Sequence, residues 1–335
     1  MTGTEKLNRY IDFVQHNPSK TNKWIKLAVK RHLDDLEKSK SEDFPYEYVS
    51  ELADRFCKFA ETFKLGQEFH GKNLELLDWQ AFVLCSTFGW VRKDDHNVRK
   101  FKKVNILVSR KSGKTSLISA VALWDCLSGY GNECYCGATK LTQARRVWES
   151  ARDMLYQNDA LQKRLRVTES TSRIWCAKNG SYIQALASDS KKLDGLNASC
   201  VILDETASQR DAELLRVLQS SQGARKSPLL FMISSASSDI YSLGAMEFEH
   251  SKKVLEGSVI EDTYGAFLYC LEPEDDWTDP SQWIKAQPSL GVTVKESFLL
   301  EQCQEAKNNP IMREEFITKH CARFQKESTV SFIPT

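Results

Sequence analysis

Residues 103–129 read KVNILVSRKSGKTSLISAVALWDCLSG. The first part, VNILV, is an apolar run with the texture of a buried strand. The part from Lys114 spaces its apolar side chains as a helix does and stops at a glycine. Between the two, Ser109-Arg110-Lys111-Ser112-Gly113-Lys114-Thr115 has the setting of a phosphate-binding loop. Gly113 lets the backbone approach phosphate oxygens, and the loop N–H groups and helix N-terminus bind an anion. Lys114 is expected to reach the β- and γ-phosphates of ATP, and the Thr115 hydroxyl to ligate Mg2+. The standard pattern opens with a glycine where this chain has Val108.

Around this stretch, short apolar runs alternate with helical segments. ECYCGAT (133–139) is followed by the amphipathic QARRVWESARDMLYQN (143–158). SRIWCA and SYIQALAS form a strand pair about Lys178-Asn179-Gly180, since Asn-Gly is a strong hairpin signal. SCVILDE (199–205) and PLLFMISSAS (228–237) are buried strands, each followed by a helical pattern, and AFLYCLE (266–272) is strand-like. This alternation predicts a mostly parallel sheet with helices on both faces, a P-loop NTPase of the RecA/ASCE-like type. Residues 1–75 read as an N-terminal helical region, 76–272 as the ATPase core and 273–325 as a small helical lid. Residues 326–335 read as the start of a linker.

CVILDET places two acids at the end of a buried strand, the edge at which ligands bind in open α/β sheets. Asp204 is expected to hold magnesium, and Glu205 to orient and activate the attacking water. Ser234, Ser235 and Ser237 end the next buried strand, where hydroxyls beside a γ-phosphate can pass on its loss. Gln80, in Asp78-Trp79-Gln80, has a side chain able both to donate to and to accept from adenine.

Basic and acidic residues balance at 46 against 45, so DNA handling would need a local basic patch rather than a basic chain. Arg99-Lys100-Lys102-Lys103 and Lys252-Lys253 are candidates for such a grip, a solvated basic face being the plainer reading of each. No apolar run reaches the roughly 18 residues of a membrane span. The polar start MTGTEKLNRYIDF lacks a signal peptide's apolar stretch. The ten cysteines include one close pair, Cys134 and Cys136, with no second pair to complete a zinc site. They read as small buried residues in a reducing compartment.

These elements in this order resemble the large terminase subunit of tailed bacteriophages. LLDWQAFVLCSTFGW is similar to that family's adenine-recognition segment, VSRKSGKTS to its variant phosphate loop, and MISSAS to its coupling motif, which here is Ser234, Ser235 and Ala236. DWTDPSQWIKAQPSLGVTV (276–294) resembles the lid of one terminase branch. The resemblance implies an ATP- and magnesium-dependent motor that translocates double-stranded DNA into a procapsid. It acts in the host cell cytoplasm and transiently at the portal, and is not secreted. Its partners would be the portal protein and the small terminase subunit. It would work as a homo-oligomeric ring of five, with a monomer conceivable in isolation. The family also carries an RNase H-like nuclease. The chain stops near the expected linker and its tail acids make no cluster, so the nuclease is expected to be absent here. Some members place an arginine finger shortly before the acidic strand, but KKLDGLNAS has no arginine. Arg110, Arg145, Arg146 and Arg210 are candidates, with Arg110 ranked first because the loop itself carries it. A helicase-like or DNA-remodelling ATPase, and a nucleotide-binding docking module with little activity of its own, remain alternatives.

Overall fold

The computed structural model describes residues 1–65, 71–187, 195–210 and 212–325. The chain opens with α1 (Gly3–His16) and α2 (Lys23–Lys38). A capping box starts α1: Thr2 Oγ1 accepts from Glu5 N–H at 3.1 Å and Glu5 Oε2 from Thr2 N–H at 2.7 Å. Strand β1 (Tyr46–Tyr48), α3 (Ser50–Ala60), α4 (Asp78–Gly89) and β2 (Trp90–Arg92) follow. The N-terminal region is therefore not wholly helical. Tyr46 and Tyr48 pair antiparallel with Arg92 and Trp90, so a stretch read as continuing a helix is half of a two-stranded ribbon. Helix α4 is apolar on every face and buried from Trp79 to Gly89, as a central helix must be.

Next come β3 (Lys103–Leu107), α5 (Lys114–Ser128), β4 (Glu133–Ala138), α6 (Leu141–Tyr156), the one-turn α7 (Asp159–Gln162), β5 (Leu165–Thr168), β6 (Arg173–Cys176) and β7 (Tyr182–Ala187). After them lie β8 (Cys200–Asp204), α8 (Glu213–Ser220), β9 (Leu229–Ser234), α9 (Leu243–Glu256) and β10 (Tyr264–Leu268). The chain closes with α10 (Glu296–Asn308), α11 (Pro310–Glu315) and a π-helical turn, Phe316–His320. Eight strands form one sheet in the order β10-β3-β9-β8-β4-β7-β6-β5. It is parallel from β10 to β7, and β6 and β5 are antiparallel additions at one edge. The hairpin expected at Asn179-Gly180 joins β6 to β7, with Gly180 at a φ of 68°.

Strand alternation divides the core. Ile202, Leu229, Phe231 and Ile233 join the larger cluster with α1, α4, α5 and α6. Val201, Leu203, Leu230 and Met232 face Leu214, Leu215 and Leu218 of α8 on the other side. The ten cysteines are buried free thiols, all of them within the larger cluster.

The first proposed basic grip is broken up: Lys102 is exposed, but its three neighbours are engaged within the protein. The Lys100 side chain is 0% exposed, paired with Asp35 of α2 and ringed at 5.2–5.5 Å by Phe44, Tyr46, Trp90 and Phe101. Lys103 pairs with Glu247 at 2.8 Å, and Arg99 donates to the Ser227 carbonyl. Lys252 pairs with Glu249 at 2.7 Å. Removing one member of a buried pair strands the other charge. Lys100→Ala is therefore expected to lower unfolding free energy by about 3–5 kcal/mol in a urea titration, with the Asp35→Leu/Lys100→Met double variant recovering most of it.

Candidate nucleotide site

Three parallel strands bring the site together. Leu107 of β3 stands opposite Ser234 of β9, and Ile233 of β9 opposite Asp204 of β8. The phosphate loop, the serine-tipped strand and the two acids therefore emerge side by side at the C-terminal edge of the sheet. The loop turns at Lys111 and Gly113, both left-handed with φ of 67° and 80°. A glycine carries that conformation without strain, and α5 starts at the next residue. Ser109 and Ser112 are buried, with their hydroxyls 3.1 Å apart. Lys114 is buried and its Nζ donates to the carbonyls of Val108 (3.3 Å) and Ser109 (3.0 Å). Burial lowers its pKa, while Glu205 and Asp204 act in the opposite sense. Thr115 lies in the first turn of α5.

Asp204 has its pKa raised to about 6, first by desolvation and then by repulsion from Glu205. Its Oδ1 accepts the Glu205 N–H at 2.9 Å. Glu205 adopts a φ of 53°, uncommon for a residue with a side chain. A desolvated carboxylate, Asp204, with a second acid beside it at a sheet edge makes a fitting place for a divalent cation. The Thr115 hydroxyl on the adjoining loop is a second oxygen donor of the kind magnesium takes beside nucleotide phosphates. Behind them, Ser234 Oγ accepts from Ala207 N–H (3.0 Å) and donates to the Ser235 carbonyl (2.7 Å), and Ser237 Oγ donates to the Ala207 carbonyl (2.9 Å). The serine-tipped strand is thus stitched to the turn that follows the acids.

Gln80 is buried against the loop. Its Oε1 accepts from Leu77 N–H at 3.0 Å, and its Nε2 donates to the Ser112 carbonyl at 3.4 Å. Leu77, Asp78 and Trp79 just before it line a cavity of about 460 Å³ with aromatic walls from Tyr10, Phe13 and Tyr269.

The segment 276–294 lies on the loop itself. Ala286 O accepts from Ser109 N–H, Ser289 Oγ donates to the Ser112 carbonyl, and Thr293 Oγ1 donates to the Lys111 carbonyl at 2.6 Å. Trp79 Nε1 donates to Ser289 Oγ at 3.0 Å, tying α4 to the same cover.

The arginines are dispersed. Arg110 Nη1 is in an ion pair with Glu315 Oε1 at 2.6 Å, its side chain 45% exposed, so its guanidinium is held by a residue outside the loop while its charge still acts on Lys114. Arg145 pairs with Glu149 and the exposed Arg210 with Asp239. Arg146 is exposed, but its charge acts on Asp204. Sequence reasoning missed Lys319. Its Nζ donates to the Ala236 carbonyl at 2.7 Å, and its carbonyl accepts the Arg110 N–H at 2.8 Å. Nothing local in TKHCARF signals that placement.

Phosphate loop, acidic strand and intervening serine-tipped strand in this order define a P-loop ATPase fold of the ASCE type. A model of the terminase large subunit ATPase domain matches residues 78–253, just over half of the chain, and the chain belongs to that family. It is 35% identical over 130 residues to protein YmfN of Escherichia coli (strain K12), covering 38% of this chain and 28% of that protein. It is 26% identical over 230 residues to the terminase large subunit of Enterobacteria phage HK97, covering 67% of this chain and 44% of that one. The crystal structure of the HK97 large terminase superposes with a TM-score of 0.71 at 21% identity, over 81% of this chain and 55% of that chain, a likeness of fold. The chain thus spans less than half the length of these two curated relatives.

A second model, of the terminase large subunit endonuclease domain, matches residues 258–333. This overturns the expectation that the chain carries no part of the nuclease. The matched stretch begins before β10, which pairs with β3 inside the ATPase sheet, and continues through the cover on the phosphate loop. The expectation rested on a linker read at the end of the chain and on a missing carboxylate cluster. Among the described residues no group of three or more metal-ligating side chains stands together, so the site's chemistry gave no sign of the match. The segment read as a linker, 326–335, lies outside the described residues. Among the described residues, no helix is long and apolar enough to cross a membrane.

Proposed function

We propose that this chain binds and hydrolyses ATP at the loop 109–115, as the ATPase part of a terminase large subunit that also carries endonuclease-domain sequence and drives double-stranded DNA into a procapsid. The observation that carries the reading is the convergence of buried Lys114, the Asp204–Glu205 pair and the Ser234–Ala236 strand end on one sheet edge. The loop N–H groups from Lys111 onward and the α5 N-terminus bind the phosphates, those of Ser109 and Arg110 being held by the carbonyls of Ala286 and Lys319. Lys114 exchanges its two carbonyl partners for phosphate oxygens. Thr115 and Asp204 would hold Mg2+, which neutralises charge on the β- and γ-phosphates. Glu205 orients a water in line with the γ-phosphorus and takes its proton as the new P–O bond forms and the bond to the ADP oxygen breaks. An arginine, in cis or from a neighbouring subunit in a ring of five, meets the developing charge. Arg110 can do so on leaving Glu315. The base lies on the α4 side of the loop, beside Gln80. Portal protein and small terminase subunit are the partners this role requires.

DNA gripping in such a motor rests on phosphate contacts. Affinity for a random duplex, followed by fluorescence anisotropy, is therefore expected to fall about 10³-fold or more between 50 and 200 mM salt if about six or more phosphates are contacted. Affinity independent of salt contradicts the translocation reading.

A further inference from the structure

Beside the nucleotide site stands a cation, Lys319, that comes from neither the loop nor the acidic strand. Lys319 sits in the π-helical turn Phe316–His320, within the stretch that the endonuclease-domain model matches. π-turns are rare and recur at functional sites, because the extra residue re-aims a side chain. Here the turn is closed by the Cys321 N–H on the Phe316 carbonyl at 3.1 Å. It is clamped from behind by the Leu271 N–H on the Cys321 carbonyl at 2.9 Å. The neighbouring Arg323 donates to the carbonyls of Glu272 and Asp275.

The clamp directs Lys319 inward. Its carbonyl holds the Arg110 N–H of the phosphate loop, and its Nζ reaches the Ala236 carbonyl at the end of the serine-tipped strand. Glu205, Arg110 and Glu315 are the charges that act on it, and its own charge acts on Lys114. A lysine with only a solubility role would extend its ammonium into water. This one is half-buried and turned to the end of the serine-tipped strand, with the loop and the acid close enough for their charges to act on it. An ammonium carries three donors, of which Ala236 takes one.

We propose that Lys319 is a γ-phosphate ligand supplied in cis by the endonuclease-model segment, so that the segment's seat on the ATPase core reports whether the site holds ATP or ADP. With ATP bound, the Lys319 ammonium contacts a γ-phosphate oxygen. With ADP bound, it returns to the Ala236 carbonyl. The same side chain then touches the nucleotide, the serine-tipped strand and, through its backbone, the phosphate loop. The proposal rests on ATP occupying that loop as described above.

The test is calorimetric titration of ATPγS and of ADP, each with magnesium, into the full chain and its Lys319→Met and Lys319→Arg variants. Loss of a charge-assisted bond to the γ-phosphate predicts about a tenfold to hundredfold weaker ATPγS affinity for Lys319→Met. ADP affinity is expected to hold within about twofold, and Lys319→Arg to restore most of the ATPγS affinity. Equal losses for both nucleotides would show a merely structural lysine, and no loss for either would remove it from the site; both overturn the proposal. Amide exchange in the unaltered chain gives the second measurement: residues 316–320 are expected to exchange more slowly with ATPγS than with ADP, and identical rates overturn the proposal. Lys114→Ala separates the two levels of the argument. If it loses both nucleotides while Lys319→Met loses neither, the ATP site stands and the role of Lys319 falls. If the unaltered chain binds neither nucleotide, both fall.

Discussion

Glu205→Gln is expected to leave ATP binding intact and to lower turnover by about 10²–10⁴-fold, the contribution of a positioned general base. The substitution is close to isosteric and leaves the backbone arrangement alone: the left-handed φ of 53°, the Glu205 N–H on the Ile233 carbonyl at 3.0 Å and its contact with Asp204. What it removes is the proton acceptor and one negative charge. That charge is the second cause of the raised Asp204 pKa, after desolvation. Its loss makes Asp204 easier to ionise, so nucleotide affinity with magnesium should hold or rise. Binding is read by titration and turnover by phosphate release. Unchanged turnover would remove Glu205 from its role.

Lys114→Ala is expected to weaken ATP affinity by about a hundredfold, the order of a charge-assisted bond to phosphate. Lys114 is the buried cation at the start of α5, held over the loop by the carbonyls of Val108 and Ser109. Its charge is already opposed by burial, and phosphate oxygens would compensate that desolvation far better than two carbonyls do. Normal affinity in a calorimetric titration would contradict the loop assignment. A fall in affinity together with a collapse of the fold would show instead that Lys114 supports the loop, so thermal unfolding accompanies the titration.

The fold was legible where local pattern and burial agree. VNILV, CVILD and LLFMI are central strands because they are apolar on both faces, and parallel central strands bury both. Asn179-Gly180 marked the β6–β7 hairpin because its conformational demand is local. The acids were legible for the same reason, standing at the end of an unbroken apolar run.

Where a side chain's fate depends on a distant partner, the sequence was silent. Lys100 belongs to a basic cluster in the chain but is buried by Asp35 and four aromatic rings from three separate stretches. Arg110 is held by Glu315, more than two hundred residues on. Gln80 has both ends of its amide engaged by Leu77 and Ser112, contacts invisible in Asp-Trp-Gln. The endonuclease match was hidden because its described residues form no metal cluster and contribute β10 to the ATPase sheet. Lys319 had no local signature, since a π-turn and a clamp formed with residues 271–275 aim it.

The central claim is that the Lys114–Glu205 site hydrolyses ATP. Its most direct test is steady-state phosphate release from ATP and magnesium by the unaltered chain, followed across a range of protein concentrations. Turnover that depends on Glu205 and climbs faster than linearly with protein is the predicted result, since a ring motor completes its site with a neighbour's arginine. No release above background at any concentration would contradict the claim and leave a nucleotide-binding docking module in its place.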